Sequence, residues 1–221
     1  MQFLYGDREL IIVAGDLLEV EVDVIVSPAD CDLSHRHPLA ARINSAAGHT
    51  MTEQCSQLIR QYDRIDSGMS VFTSAGRLPH DAVVHAVSPM MGEGEEQIKM
   101  QQVVSRTLMM CEANDWSSIA FPALGTHHFQ IPLAVCAQAF FRSIISFWDA
   151  RFECSVGKVI LCVNDDELQP FFDAFREDAI NTEDVIVEDL GEEGEEPTGY
   201  IELDEEDINA LNDPEIEDWF K

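Results

Sequence analysis

The sequence predicts an α/β fold in three layers, a sheet covered by helices on both faces. Strand-like and helix-like segments alternate from residue 10 to residue 176. The runs 22–26 and 159–163 are apolar without in-out alternation, which places them inside a sheet buried on both sides. At 221 residues and 46% hydrophobic, the chain is long enough for one full core and short for two large ones.

The elements follow in order. Leu10–Ala14 is a short apolar run ended by Gly15-Asp16, and the β-branched 22–27 is a strand bounded by Pro28. Pro38 to Ala47 carries Leu39, Ile43 and Ala47 at helical spacing, and Thr52 to Gln61 continues in helical style. Strands at 71–73 and 82–87 flank a turn at 78–81. A polar loop at 89–96 precedes a long helix over 97–113, whose apolar residues fall at 98, 103, 104, 108 and 111. A strand at 118–123 enters a loop at Gly125. A mostly apolar helix spans 132–149, with Pro132 at its start. The strand 158–163 and a helix over 166–176 complete the body. The loops at 27–38, 88–96 and 124–131 follow strands, and ligands in such folds sit outside the carboxyl ends of strands. Convergence of these loops on one site is expected.

Charge divides the chain. There are 42 acidic residues against 13 basic, a formal net charge of -29. Residues 182–221 hold 17 of the acids and one base, Lys221, so a body over 1–181 and an acidic extension over 182–221 are expected. Nucleic-acid affinity comes mainly from clustered Lys and Arg, which excludes general nucleic-acid binding. A small anion can still be held by backbone N–H groups. No stretch is long and apolar enough for a membrane span, and no secretory signal is visible, so a cytoplasmic protein is expected. The six cysteines are widely and irregularly spaced, which reads as free and mostly buried thiols. Gly68, Gly76, Gly92 and Gly94 read as turn residues.

Several separated segments then stand in a recognisable order. They are Gly15-Asp16-Leu17 followed by 22–26, Ala46-Ala47-Gly48, the runs 70–79 and 83–89, and 118–126. Over roughly residues 8–178 the sequence resembles the macrodomain family, the ADP-ribose-binding module. The resemblance implies a three-layer fold with a mixed sheet and a cleft at the strand ends. It implies binding of ADP-ribose or a related nucleotide, free or on a modified protein, and no cofactor. Carried over by position, Asp16 would accept a hydrogen bond from the adenine amino group. Ser27 and the following loop would face the distal ribose and diphosphate. Gly125, Thr126, His128 and Phe129 would wrap the other side.

The sequence departs from the family's pattern in both loops. The family's Asn-Ala-Ala-Asn reads Ser27-Pro28-Ala29-Asp30, and the glycine-rich first loop reads 31–39 without a glycine. An acidic residue used by some hydrolytic members falls at Ala40. The second loop reads Gly125-Thr126-His127-His128-Phe129-Gln130. Asp30 would place a carboxylate near ribose or phosphate, an unfavourable charge unless a proton, a cation or Arg36 offsets it. Arg36 suits bidentate phosphate contact, or pairs with Asp32. Asp16 also suits a capping or turn role after Gly15.

The histidines 35, 37, 127 and 128 suit phosphate contact or acid–base work. A zinc site is the less favoured alternative, because no tight ligand motif is present. Three functions follow in order of preference: nucleotide binding; hydrolysis of an ADP-ribosyl or nucleotide phosphate bond, with His127, His35 or Asp30 as acid or base; and a protein-interaction role. In the last, the acidic extension, with Ile201, Leu203, Ile208, Leu211, Ile216, Trp219 and Phe220 as anchors, would dock on a basic partner.

Overall fold

A computed structural model describes residues 1–127, 129–151, 153–182 and 185–188. His128 and the anchors beyond residue 200 lie outside the described residues. The strands are β1 (Gln2–Tyr5), β2 (Arg8–Ala14), β3 (Val24–Pro28), β4 (Ser70–Ser74), β5 (Ala82–Ala86), β6 (Ser118–Pro122), β7 (Lys158–Val163) and β8 (Val185–Glu188). The helices are α1 (Pro38–Ala47), α2 (His49–Tyr62), α3 (Glu96–Ala113), α4 (Leu133–Asp149) and α5 (Asp165–Ile180), with one 3-10 turn at Leu17–Glu19.

The strands form one mixed sheet in the order β4-β5-β3-β6-β7-β2-β1-β8. The five central strands, β5 to β2, pair in parallel, and the outer pairings are antiparallel. Alternate residues of the central strands enter two different cores. Val24, Val26, Ile119, Phe121 and Leu161 pack with α3, α4 and α5. Ile25, Ala120, Ile160 and Cys162 pack with α1 and α2. Both faces are apolar because both are covered, which explains the absence of alternation in the sequence. The expected three-layer α/β architecture is therefore present.

The structure departs from the expected elements at several points. β1 was not foreseen; Phe3 anchors it, 1% exposed, against Phe141, Phe172 and Phe175. These partners lie more than a hundred residues away, so no local pattern announces them. On α3, Ile98 faces solvent and Met100 takes the inward position. Pro132 caps α4 from outside, with extended ψ, rather than opening it from within. α5 continues four residues past Arg176, because Ala179 still reaches the core. The strand-like run Val185-Ile186-Val187 does form a strand, β8, which pairs with β1 and extends the sheet to residue 188. All four glycines read as turn residues have positive φ. At Gly76 a Cβ would also lie 2.3 Å from the Ala47 carbonyl oxygen. Cys55, Cys111, Cys136 and Cys162 are buried and Cys31 and Cys154 half-buried, all as free thiols. Among the described residues, no helix is long and apolar enough to cross a membrane.

Phe3→Ala should lower stability by about 3–5 kcal/mol, the usual cost of emptying a buried aromatic site. Urea unfolding of the two proteins measures it. A loss under 1 kcal/mol would show that β1 is not tied into the core.

Candidate functional site

The parallel strands end along one rim, and a cavity of about 1000 Å³ opens there. Gly15, Asp16 and Leu17 follow β2, Pro28 ends β3, Pro122 ends β6, and Asn164 follows β7; all line the cavity. α1 contributes Pro38, Leu39 and Arg42, with His37 just before it.

His37 caps α1, its Nδ1 accepting from Leu39 N–H at 3.2 Å. Asp16 caps the 3-10 turn through Leu18 N–H at 3.1 Å and pairs with Arg42 at 2.5 Å. The Leu18 N–H, and after it the Arg42 guanidinium, hold the Asp16 carboxyl below its usual range, against an opposing effect of burial. Asp16 thus caps a turn and also stands in the cavity wall.

The second loop presents Gly125, His127 and Phe129 to the cavity. Gly125 has φ +85, and its carbonyl accepts from Ile131 N–H at 2.9 Å, which closes the loop. Phe129 is buried, and its carbonyl accepts from Met91 N–H. The Thr126 hydroxyl donates to Ala123 O at 3.0 Å. His127 Nε2 lies 2.8 Å from Asn164 Nδ2 and 3.4 Å from Glu167 Oε2.

Asp16, Gly125, His127 and Phe129 are therefore brought together. Ser27, Asp30, His35, Arg36 and Thr126 are not among the lining residues. Ser27 is fully buried in β3 and donates to Pro28 O at 3.4 Å. Arg36 pairs with Asp32 at 2.9 Å and with Asp30 at 3.4 Å, so the loop's carboxylates are offset within the loop. The 88–96 loop touches the second loop through Met91 and does not line the cavity. The start of α5 does so instead, with Asn164, Asp165, Asp166 and Glu167.

That segment was missed as a site. Its signal was the Asn164-x-x-Glu167 spacing of a reciprocal helix cap, which the structure forms. Arg42 was missed too, because only the fold brings α1 to Asp16. No group of three or more described His, Cys, Asp or Glu residues could hold a metal ion. His37 and His127 both line the cavity, whereas His35 lies beside His85 instead.

In the first loop, Leu33 and His35 adopt φ values of 51 and 55, a conformation that favours glycine. Leu33 is buried, and the half-buried His35 ring lies 6.0 Å from the His85 ring. His85 is fully buried, with Nε2 3.0 Å from the Thr73 hydroxyl. Burial, and then neighbouring His35, push the His85 pKa down to about 3.

A family comparison now bears on the cleft. The family model described as Macro domain matches residues 26–140. The chain belongs to the macro domain family. This macro domain is 33% identical over 138 residues to O-acetyl-ADP-ribose deacetylase of Escherichia fergusonii, covering 62% of this chain and 78% of that relative. It is 29% identical over 164 residues to a macro domain-containing protein of Listeria monocytogenes, covering 73% of this chain and 93% of that one. The solved Oceanobacillus iheyensis macrodomain with ADP superposes with a TM-score of 0.74 at 24% identity, over 82% of this chain and 96% of that one. This last likeness concerns the fold.

Two outcomes test the site's construction. A Cβ on Gly125 would lie 2.9 Å from Met100 Cε and 3.2 Å from both Cys136 Sγ and Ile131 Cδ1. Gly125→Ala should therefore destabilise by about 1–3 kcal/mol, through crowding and positive φ together; an unchanged urea midpoint would contradict this packing. For His85, the unfolded chain takes up a proton below about 6.5 and the folded chain only near 3. The stability this group supports is complete above 6.5 and is lost as pH falls from 6.5 toward 3, by about 1.4 kcal/mol per pH unit. His85→Gln should flatten that slope in urea titrations between pH 7 and pH 5.

Proposed function

We propose that this macro domain binds ADP-ribose or a related nucleotide in the rim cavity. The observation that carries the reading is the cavity itself. It lies at the carboxyl ends of parallel strands, with Asp16 on one wall and the Gly125 loop on another. Its volume is at the upper end of the roughly 300–1,000 Å³ usual for small-molecule sites. Asp16 uses one lone pair of each oxygen on Leu18 and Arg42, so each oxygen can accept once more, as an adenine amino group requires. Phe129 and Leu17 give apolar surface for a base or ribose. The relatives named as O-acetyl-ADP-ribose deacetylases support the same ligand class. A protein carrying ADP-ribose would present the same group to the same cavity. The acidic residues that follow β8 would serve a separate, basic protein partner, and the setting would be cytoplasmic.

A second reading is hydrolysis of an ADP-ribosyl or nucleotide phosphate bond. It is favoured by His127, which lines the cavity beside the buried carboxylate Glu167. Of the three candidates His127, His35 and Asp30, only His127 stands in the cavity wall. With His127 as general acid, turnover of O-acetyl-ADP-ribose that disappears in His127→Ala even at saturating substrate would support this reading.

Titration calorimetry with ADP-ribose tests the first. Micromolar affinity is expected, weakened at least about tenfold by Asp16→Ala, the worth of one charge-assisted hydrogen bond. Asp16→Ala also removes a cap worth about 1 kcal/mol, so folding is checked in parallel. No heat from folded wild-type protein at millimolar ADP-ribose would overturn the nucleotide reading.

A further inference from the structure

The contact between the second loop and α5 determines what His127 can offer a ligand. Asn164 Nδ2 lies 3.0 Å from Glu167 Oε2 and 2.8 Å from His127 Nε2. A carboxylate oxygen only accepts, so the amide edge turned to Glu167 is its NH2 group and not its oxygen. Glu167 is itself fixed. Its side chain is 8% exposed, and Oε2 also accepts from Asn164 N–H at 3.3 Å. The amide therefore donates one hydrogen to Glu167 and the other to His127. A nitrogen that accepts a hydrogen bond carries no proton, so neutral His127 carries its proton on Nδ1.

We propose that Asn164 and Glu167 are positioning residues that hold His127 as the Nδ1–H tautomer, a hydrogen-bond donor toward an oxygen of the nucleotide in the cavity. The proposal rests on the nucleotide-binding reading. The two nitrogens of an imidazole point in diverging directions. With Nε2 turned to α5, Nδ1–H is turned away from it, on a ring that lines the cavity. If the ring takes up a second proton, Nε2–H has Glu167 Oε2 at 3.4 Å and Nδ1–H is unchanged. His127 is a donor in both states and, while Asn164 holds it, never a general base toward the ligand. In a cleft with three carboxylates at the start of α5, a donor facing away from them suits a phosphate or ribose oxygen.

Nitrogen-15 NMR of the full chain with labelled histidine, at pH 8 and without ligand, reads the tautomer directly. His127 should show a protonated Nδ1 and a bare Nε2. Asn164→Ser keeps a capping oxygen but loses the amide, and should shift the ring toward Nε2–H with little change in stability. Calorimetry with ADP-ribose gives the second arm. Asn164→Ser and His127→Gln should weaken binding roughly tenfold, the worth of one hydrogen bond. His127→Asn, whose amide nitrogen reaches the place of Nδ1, should stay within about threefold of wild type. A wild-type ring protonated on Nε2 overturns the proposal. Undiminished binding by His127→Gln also overturns it, and leaves the nucleotide reading standing. No binding by wild type overturns both.

Discussion

The structure depends on one constraint: the central strands run parallel and are apolar on both faces. Parallel neighbours need long crossovers, and the crossovers here are mostly helical. Because successive residues of β3, β6 and β7 enter opposite cores, helices must lie on both sides of the sheet. Parallel strands also end on a common rim. Gly15, Pro28, Pro122 and Asn164 are neighbours for that reason, although they span 150 positions of sequence. The cleft is thus a product of strand direction, and its chemistry is added by the loops.

Those loops handle a difficult charge balance. The chain has few bases, yet carboxylates crowd the rim. Several are held locally: Asp16 by Leu18 N–H and Arg42, Asp30 and Asp32 by Arg36, and Glu167 by the Asn164 amide. Two of the rare bases near the rim, Arg36 and Arg42, are thereby engaged with the protein's own acids. A ligand phosphate would then rely on backbone N–H groups and on neutral donors more than on cationic side chains.

Much of this was legible in the sequence, for physical reasons that can be named. The apolar runs of β3 and β7 announce double-sided burial without any partner being known. α1 spans Pro38–Ala47 as its proline and apolar spacing indicate. The Gly125 loop was expected at the site because it follows a strand, whereas Asp16 and the loop's ligand residues were carried over from the resemblance to the macrodomain family. β1 was not legible, because Phe3 acquires its meaning from aromatic rings on α4 and α5. On α3 the positions of Val103, Val104, Thr107, Leu108 and Cys111 put Met100 in the middle of the buried stripe and Ile98 on the opposite face, so helical spacing did carry this signal and the apolar character of Ile98 obscured it. Arg42 has no local mark at all. The Asn164-x-x-Glu167 spacing was present, but a helix cap is common, and only its approach to His127 makes it part of a site.

The first loop has a thermodynamic consequence. Leu33 and His35 hold a backbone shape that a glycine would adopt without strain. A glycine loop samples many shapes and must be ordered when a ligand arrives. Here the ordering cost is met during folding, by Leu33 in the core and Arg36 clamped between two carboxylates. The loop is preorganised beside the cavity rather than in its lining: less conformational entropy remains to be lost in the segment that leads into His37 and α1, which do line it. That fixed lead-in sets where the first turn of α1 stands before any ligand arrives, at the expense of breadth in what that turn can accommodate.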